Sequence, residues 1–497
     1  MLNPEFTEML RLTDATVFDG LPEALTATAP ETSVRLNHGK APGADIASLC
    51  GAPDIADGTV PWSSGSGFYL CRRPNFTLLP ALHQGLLYVQ DASSMCLSHI
   101  IAALAAQLGG GALRLLDACA APGGKTLCAA DALPAGSLVV ANEYDFRRAE
   151  ILRENVIKWG LPSAVVSRGD TARFRRLPEA FDIVCVDAPC YGEGMMRKDA
   201  TARSQWSPAL VRECAARQDE ILGNIWEALR PGGYLVYSTC TFNAVENEQL
   251  ISRFAADNGA ESIDTGLTEF PGVLPALKDY PGVMAARFLP SRVRGEGIFV
   301  SVIRKPGVWS PHPAALPVSG ARAKKKDRRQ SAPQPDLRIF EPQLRGEPAV
   351  FEMAGDSVRA LPARHAAFIH TLEKELQTIH AGTELATLKG RDTIPSHTLA
   401  MSRDLAPGAL DRRAFPCRRP DLPPPRSRDP PRLRPPGLRA PHPRRPPPRL
   451  RQKPRLARQQ PLSRPLAHPQ PLKSRGGDVG LSYFLLIFAE SSINRTP

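Results

Sequence analysis

Two cysteines, Cys190 and Cys240, lie in sequence contexts that favour chemistry over packing. Cys190 follows Asp187-Ala188-Pro189, in which the proline stiffens the turn after an acidic residue, and Cys240 lies in the polar stretch Ser238-Thr239-Cys240-Thr241. A cysteine with a packing role usually has apolar neighbours. Because a thiolate is a strong nucleophile, two thiols at predicted strand ends indicate an enzyme that attacks its substrate through sulfur.

A glycine turn upstream of both cysteines is placed to hold a cofactor. Gly123 and Gly124 lie where the first predicted strand turns into a helix, and a ligand can approach the backbone there. Glu143 ends the second predicted strand and can accept hydrogen bonds from ribose hydroxyls. Asp170 follows the third predicted strand and can accept a hydrogen bond from an adenine amine. The turn is neither G-x-G-x-x-G nor a phosphate loop, which favours S-adenosylmethionine over NAD or ATP. Each residue taken alone also fits a structural turn with a helix-capping acid.

Short apolar runs alternate with helical stretches between residues 111 and 305, which is typical of a parallel α/β sheet. The predicted strands span residues 113–117, 137–142, 164–167, 181–187 and 234–238. The predicted helices span residues 124–132, 146–159, 208–229 and 362–379. A helix stop and turn is predicted at 230–233, and a closing antiparallel hairpin at 287–291 and 298–304.

The positive charge of the chain is concentrated at its C-terminal end. The 497 residues carry a formal net charge of +12, but residues 412–497 hold 20 Lys and Arg against 4 Asp and Glu, so the other 411 residues carry −4. Any contact of that larger part with nucleic acid must therefore use a local patch. Residues 416–471 contain 19 prolines. Residues 450–472 can be back-translated so that the frame one base later encodes a basic-aromatic peptide followed by a stop codon. We hypothesise that residues 416–497 are the product of a shifted reading frame, which resequencing the locus would test.

The remaining composition predicts a cytoplasmic protein with reduced thiols. The ten cysteines include no C-x-x-C pair, and the first 25 residues lack a basic start followed by an apolar block. No apolar run reaches the roughly 18–20 residues that a membrane helix needs. We expect no membrane contact, no metal and a monomer.

At its motifs the chain resembles the Sun-family (Fmu-like) RNA cytosine-5 methyltransferases, in particular the bacterial RsmF type. The paired motifs Asp-Ala-Pro-Cys and Ser-Thr-Cys-Thr are highly specific to that family. The resemblance covers about residues 30–410, and its further matching positions are Gly192 to Gly194, Arg197, Lys198, Trp206, Gln218, Asn243, Glu246 to Glu248 and Gly295 to Gly297.

The resemblance implies a Rossmann-like, S-adenosylmethionine-dependent methyltransferase core that forms 5-methylcytosine in RNA, with small-subunit rRNA as the expected substrate. Cys240 would be the nucleophile, Cys190 would assist release of the methylated RNA, and Asp187 would be the acid near the ring nitrogen of the base. The cofactor would be bound by Cys119, Ala120, Ala121, Pro122, Gly123, Gly124, Lys125, Glu143, Asp170 and Asp187.

Five segments are expected along the chain. Residues 1–105 would form a small N-terminal RNA-binding or accessory domain, and residues 106–305 the catalytic α/β domain. Residues 306–336 are rich in proline and lysine and would be a linker. Residues 337–415 would begin a C-terminal PUA-like α+β domain that binds RNA, and residues 416–497 would be the Pro/Arg-rich tail.

Three alternatives stay open from the sequence. A methyltransferase acting on an exocyclic amine would use an N-P-P-Y-like turn and need no thiol, so the two cysteines argue against it. A tRNA cytosine-5 methyltransferase, and a catalytically impaired RNA-binding or ribosome-assembly protein, fit the same domains. Tyr191 and Ser291 depart from the family pattern, where Ser and His are usual, and Tyr191 would narrow the pocket for the base.

Overall fold

A computed structural model of the protein describes residues 2–27, 29–312, 336–390 and 392–410. The N-terminal part contains α1 (Pro4–Asp14), α2 (Leu21–Ala27), β1 (Thr32–Leu36), α3 (Ile46–Cys50), β2 (Ala56–Thr59), β3 (Gly67–Leu70), α4 (Pro80–His83) and β4 (Leu87–Val89). Its four strands form one antiparallel sheet in the order β2-β3-β1-β4.

The central part contains most of the remaining elements. They are α5 (Cys96–Gln107), β5 (Arg114–Asp117), α6 (Gly124–Ala132), β6 (Leu138–Glu143), α7 (Phe146–Trp159), β7 (Ala164–Arg168), β8 (Phe181–Asp187), α8 (Ala200–Gln205), α9 (Pro208–Trp226), β9 (Leu229–Thr239), α10 (Glu248–Asp257), β10 (Glu261–Ile263), β11 (Leu274–Pro275), β12 (Ala285–Phe288) and β13 (Ile298–Arg304).

The C-terminal part contains β14 (Ala349–Ala354), β15 (Ser357–Pro362), α11 (Ala366–Glu375), β16 (Gln377–Ala381), β17 (Thr383–Lys389), β18 (Asp392–Pro395) and α12 (His397–Met401). Four of its strands form an antiparallel sheet in the order β14-β15-β17-β18. The fifth, β16, lies elsewhere, in the central sheet.

The central sheet has the strand order β11-β12-β13-β9-β8-β5-β6-β7-β16, with β10 paired to β13. Strands β9, β8, β5, β6 and β7 are parallel, and the strands on either side of them are antiparallel. The parallel strands are apolar along both faces because helices cover both: α9, α10 and α11 pack on one face, and α5 with α6 on the other. The predicted α/β class with a Rossmann-like core is confirmed.

This topology brings several strand ends to one edge. In parallel strands the carboxyl ends lie together, so the last residues of β5, β6, β8 and β9 share an edge of the sheet. That edge carries Asp117, Glu143, Asp187 and Thr239. Within the described residues, no helix combines the length and the apolarity needed to cross a membrane.

Some predicted boundaries were wrong. The helix predicted at 208–229 ends at Trp226, and the turn predicted at 230–233 lies inside β9, which begins at Leu229 and changes register opposite β8. Gly232 has φ of 71° there and allows this irregularity. The helix predicted at 362–379 spans Ala366–Glu375, and the chain then continues as β16, which pairs with β7 at the edge of the central sheet.

Candidate active site

The two cysteines lie side by side at the carboxyl edge of the central sheet. Cys190 comes shortly after the end of β8, and Cys240 directly follows β9. These strands are parallel neighbours that pair Asp187 with Ser238, so their ends emerge together. The two Sγ atoms are 3.3 Å apart, and both side chains are half-buried.

The surroundings distinguish the two thiols. The hydrogen bond to Cys240 raises the pKa of Cys190 well above its usual value, and burial and the charge of Glu246 act in the same direction. The Cys190 thiol therefore holds its proton firmly.

Asp187 and Lys125 form an ion pair beside the thiols. Lys125 Nζ lies 2.8 Å from Asp187 Oδ2, and the Ser238 hydroxyl donates to Asp187 Oδ1 over 2.9 Å. Burial alone would lower the pKa of Lys125, but the interaction with Asp187 outweighs it and raises that pKa above its usual value. The pair thus presents a firmly held ammonium and a carboxylate whose two oxygens each have a partner.

The glycine turn leaves the start of helix α6 open. Gly123 has φ of 116°, a conformation that favours glycine, and no side chain caps the helix that begins at Gly124. A Cβ at Gly124 would lie 3.1 Å from the ring of Tyr88, so a side chain there would crowd the turn. The amide groups of the first helical turn therefore remain available to an anionic group of a ligand.

The carboxylate of Glu143 is hydrogen-bonded to the backbone just before the glycine turn. One carboxylate oxygen accepts the amide of Ala121 over 3.3 Å, the other accepts the amide of Asp145 over 3.0 Å, and Arg148 lies 3.6 Å away. Each oxygen can accept a second hydrogen bond, so Glu143 keeps capacity for a ligand.

Asp117 is a buried acid at this edge whose environment the sequence did not reveal. Thr126 donates to its Oδ2 over 2.6 Å, while its Oδ1 is buried without a hydrogen-bond partner. Burial raises the pKa of Asp117 to about 7. An acceptor without a partner at the first strand end is consistent with a site built to receive a ligand.

The remaining predicted site residues differ in their setting. Asp170 is exposed, and its Oδ1 caps the short helix Thr171–Arg176 by accepting the amide of Ala172 over 2.8 Å. Burial raises the pKa of Cys119 well above its usual value, so this thiol stays protonated. Tyr191 packs into an apolar cluster with Trp206, and its hydroxyl donates to Ala202 O over 2.6 Å.

Two buried acids, Glu193 and Glu246, connect the segments that carry the thiols. Both side chains are fully buried. In the sequence they were noticed as positions matching a family, but their structural role was missed. The available signal was the density of polar residues after Cys240, where Asn243 and Glu246 follow within six positions. Among the described residues, no group of three or more His, Cys, Asp or Glu side chains could hold a metal ion.

The part of the chain that holds this site is similar to a known protein family. Residues 108–304 match the model described as "16S rRNA methyltransferase RsmB/F", and this range includes both cysteines and the glycine turn. This region is therefore similar to the RsmB/F methyltransferases. The resemblance predicted from the paired cysteine motifs is confirmed.

Curated relatives agree with the family assignment. A protein named Ribosomal RNA small subunit methyltransferase F from Serratia proteamaculans (strain 568) is 37% identical over 282 residues, covering 55% of this chain and 56% of the relative. One of the same name from Klebsiella pneumoniae (strain 342) is 38% identical over 295 residues, covering 57% and 59%. The chain thus matches somewhat more than half the length of these relatives.

A solved structure supports the fold. NSun6 from Pyrococcus horikoshii, whose structure contains SFG, aligns with a TM-score of 0.50 at 17% identity, covering 61% of this chain and 97% of that one. At this identity the likeness concerns the fold alone.

Proposed function

We propose that the protein is an S-adenosylmethionine-dependent RNA methyltransferase that forms 5-methylcytosine in small-subunit rRNA through a covalent Cys240–cytosine bond. The observation that carries the proposal is the 3.3 Å separation of the two thiols, at the sheet edge that also holds the glycine turn. Transfer to an oxygen or an exocyclic amine needs no thiol, so paired thiols favour carbon as the acceptor. The family description and the names of the relatives support rRNA.

The residues at the turn fit S-adenosylmethionine. The open start of α6 offers amide groups to the carboxylate of the cofactor, and Glu143 offers acceptor capacity to the ribose hydroxyls. Asp170 is exposed, and its Oδ2 makes no hydrogen bond to the described residues, which leaves an acceptor for the adenine amine. When bound, the cofactor supplies a methyl group on a positively charged sulfur.

The reaction is difficult because carbon 5 of cytosine is a poor nucleophile. A thiol can overcome this difficulty. Addition of the Cys240 thiolate to carbon 6 gives an enamine-like carbon 5, so one hard step becomes two easier ones. Lys125 and Ser238 fix the carboxyl group of Asp187. In this position Asp187 would exchange a proton with the ring nitrogen of the base. When a base takes the carbon 5 proton, the double bond between carbons 5 and 6 re-forms and the bond from carbon 6 to the Cys240 sulfur breaks. The Cys190 thiol can then hydrogen-bond the departing Cys240 thiolate.

The substrate and the flanking domains belong to the same proposal. A target base must be unstacked before sulfur can reach carbon 6, so we infer a loop or distorted helix of rRNA as the substrate. Residues 1–105 and the PUA-like domain proposed at 337–415 would hold the RNA on either side of the catalytic part.

The decisive test uses RNA that carries 5-fluorocytosine, whose carbon 5 substituent cannot leave as a proton after methylation. The full chain and its Cys240→Ala and Cys190→Ala variants would be incubated with this RNA and S-adenosylmethionine and separated on a denaturing gel. We expect a covalent protein–RNA band for the wild type and for Cys190→Ala, and none for Cys240→Ala. With ordinary RNA, Cys190→Ala alone should accumulate the band, because release is impaired.

Two results would contradict these expectations. A band that persists in Cys240→Ala but disappears in Cys190→Ala would exchange the roles of the thiols. Absence of a band in the wild type, with S-adenosylmethionine bound and the RNA bound, would overturn the assignment to carbon 5 of cytosine.

A further inference from the structure

The segments that carry the two thiols are joined by a buried polar network. The first segment, residues 189–194, follows β8 and includes Cys190, and the second, residues 240–247, follows β9 and includes Cys240. Their backbones meet at one point, where the Gly194 amide donates to Cys240 O over 2.9 Å. Besides the contact between the two thiols, the segments are linked through the side chains of Glu193, Glu246, Asn243 and Gln218.

Glu193, from the first segment, holds the backbone of the second. Its Oε2 accepts the amides of Phe242 and Asn243 over 2.6 and 3.0 Å. Its Oε1 accepts the side-chain amide of Asn243 over 2.9 Å and the indole N–H of Trp206 over 2.8 Å. Three of these four donors belong to the segment of the other thiol.

Glu246 makes the reciprocal link. It lies in the second segment, and its Oε2 accepts the amide of Tyr191, the residue after Cys190, over 3.2 Å. Gln218 donates to the same oxygen over 2.7 Å and to Pro189 O over 3.1 Å, and therefore ties both segments to helix α9. Asn243 donates to the other oxygen of Glu246 over 2.8 Å.

Such an arrangement is costly as a means of stability alone. Glu193 and Glu246 are fully buried, and among the described residues neither has an ion-pair partner, so hydrogen bonds take the place of an ion pair. Apolar residues would fill the same space without the cost of desolvating two carboxyl groups. A hydrogen-bonded carboxylate does, however, fix the position of its donors more sharply than apolar packing does.

We propose that Glu193 is a positioning residue that sets the distance between Cys190 and Cys240. It does so by accepting hydrogen bonds from the backbone amides of Phe242 and Asn243. Glu246 has the same role from the other segment. The inference rests on the proposed function in one respect: the separation matters because Cys190 must reach the sulfur of Cys240 when the methylated base is released. Glu193 makes no hydrogen bond to either thiol and acts through the segments that carry them.

The distance can be measured without RNA or cofactor, by the rate at which the two thiols form a disulfide. Diamide takes one hydrogen from each thiol: two S–H bonds break, one S–S bond forms, and the diamide is reduced to the hydrazine. The sulfurs are 3.3 Å apart and must close to about 2 Å, so a small displacement of either segment slows the reaction. Mass spectrometry of the linked peptides assigns the bond to Cys190 and Cys240.

The variants are Glu193→Gln and Glu246→Gln, each nearly isosteric with the wild type. A carboxamide has one acceptor oxygen and one donor nitrogen, so it cannot accept from all the donors that surround either carboxylate. The matched control is Asp182→Asn, which also alters a fully buried carboxylate of β8 but at the opposite end of that strand. All three are expected to melt at lower temperature.

We expect Glu193→Gln and Glu246→Gln to form the Cys190–Cys240 disulfide at least tenfold more slowly than the wild type, and Asp182→Asn to match the wild type within twofold. With ordinary RNA and S-adenosylmethionine, the two glutamine variants should also accumulate the covalent protein–RNA band, as is expected of Cys190→Ala. A merely structural role would lower the melting temperature and leave both readouts unchanged.

Equal disulfide rates in the wild type and both glutamine variants would overturn the proposal, and so would slowed rates without accumulation of the covalent band. Failure of the proposed function is a separate result, because then the wild type gives no band with 5-fluorocytosine RNA. If one glutamine variant does not fold, the other tests the same link from the opposite segment.

Discussion

The Asp187–Lys125 pair is a single contact that connects the glycine turn to the strand leading to Cys190. Lys125 comes from the start of helix α6, directly after the glycines, while Asp187 ends the strand that leads to Cys190. The ion pair therefore links the glycine turn to the strand that leads to Cys190, and it fixes the position of the Asp187 carboxylate. Among the described residues, no other Lys or Arg lies within ion-pair distance of that carboxylate.

Replacing Lys125 by Met should slow formation of the proposed covalent Cys240–cytosine bond by roughly 100-fold or more, because Asp187, the proposed proton-transfer group, would lose the partner that positions it. The rate would be measured by single-turnover trapping on 5-fluorocytosine RNA. Arg148→Met is the matched control, since it removes a cation 3.6 Å from Glu143 and should weaken cofactor binding without this loss in rate. A Lys125→Met rate within threefold of the wild type would show that Asp187 does not depend on the pair.

Glu246 should make the free energy of unfolding depend on pH, and a single substitution should remove this dependence. Burial raises its pKa to about 7 from the usual 4.5. The folded protein thus keeps a proton that the unfolded chain releases, so the stabilising contribution is complete below about pH 4.5 and is lost as pH rises through 7. Between pH 5.5 and 7.5 this linkage lowers the free energy of unfolding by roughly 1–2 kcal/mol.

The Glu246→Gln variant should lack the part of the pH-dependent stability loss that is linked to Glu246. Urea unfolding of both proteins at the two pH values would measure it, and the wild type should lose more stability than the variant by that amount as pH rises. Parallel pH dependences would mean that Glu246 does not titrate in this range.

The elements that position the site were largely predictable, and those that depend on distant partners were not. Strand β8 and helices α6 and α7 have the predicted bounds, because their apolar periodicity and their terminal Gly and Asp residues are local signals. Strand β16 was missed because Thr378 and Ile379 continue a helical pattern. They become a strand since β7 offers them an open edge, which is a tertiary effect.

The same limit applied to the candidate site. Motifs predicted that Cys190 and Cys240 share an edge, since strand ends follow from apolar runs. Their 3.3 Å separation depends on the pairing of β8 with β9 and on Glu193, a residue that contacts a segment 50 positions away. No local pattern specifies such a contact.

Helix α11 is attached to the central part through a histidine that should make its docking sensitive to acid. His365, just before the helix, is buried, and its Nε2 lies 2.7 Å from Gly136 O. Burial lowers the pKa of His365 to about 4 from 6.5. The stabilising contribution is therefore present above pH 6.5 and is lost as pH falls through 4, by roughly 2 kcal/mol between pH 7 and 4.5.

Hydrogen exchange of the amides in α11 should accelerate over that range in the wild type. His365→Gln retains a donor for Gly136 O but does not titrate, so its exchange should depend less on pH. The same acceleration in both proteins would assign the acid sensitivity to other groups.

On the scale of the whole molecule, catalytic geometry and positive charge are in separate parts of the sequence. The residues of the candidate site lie between Asp117 and Glu246, within the family match, whereas residues 412–497 hold a net +16 against −4 for the rest. Those C-terminal residues, including the proposed frame-shifted segment, lie outside the described residues. Charge of this density attracts RNA regardless of its sequence, through release of counterions.

A chain ending at Leu410 should therefore keep its melting temperature, its affinity for S-adenosylmethionine and its rate of covalent bond formation at saturating RNA, each within about twofold. Its affinity for RNA at low salt should fall, and the slope of log K against log salt should become shallower by about 0.7 for each phosphate that the protein no longer neutralises. Calorimetry and RNA binding at several salt concentrations would measure both effects. If the shortened chain instead failed to bind the cofactor or melted at a markedly lower temperature, the C-terminal residues would be part of the catalytic fold rather than an electrostatic addition to it.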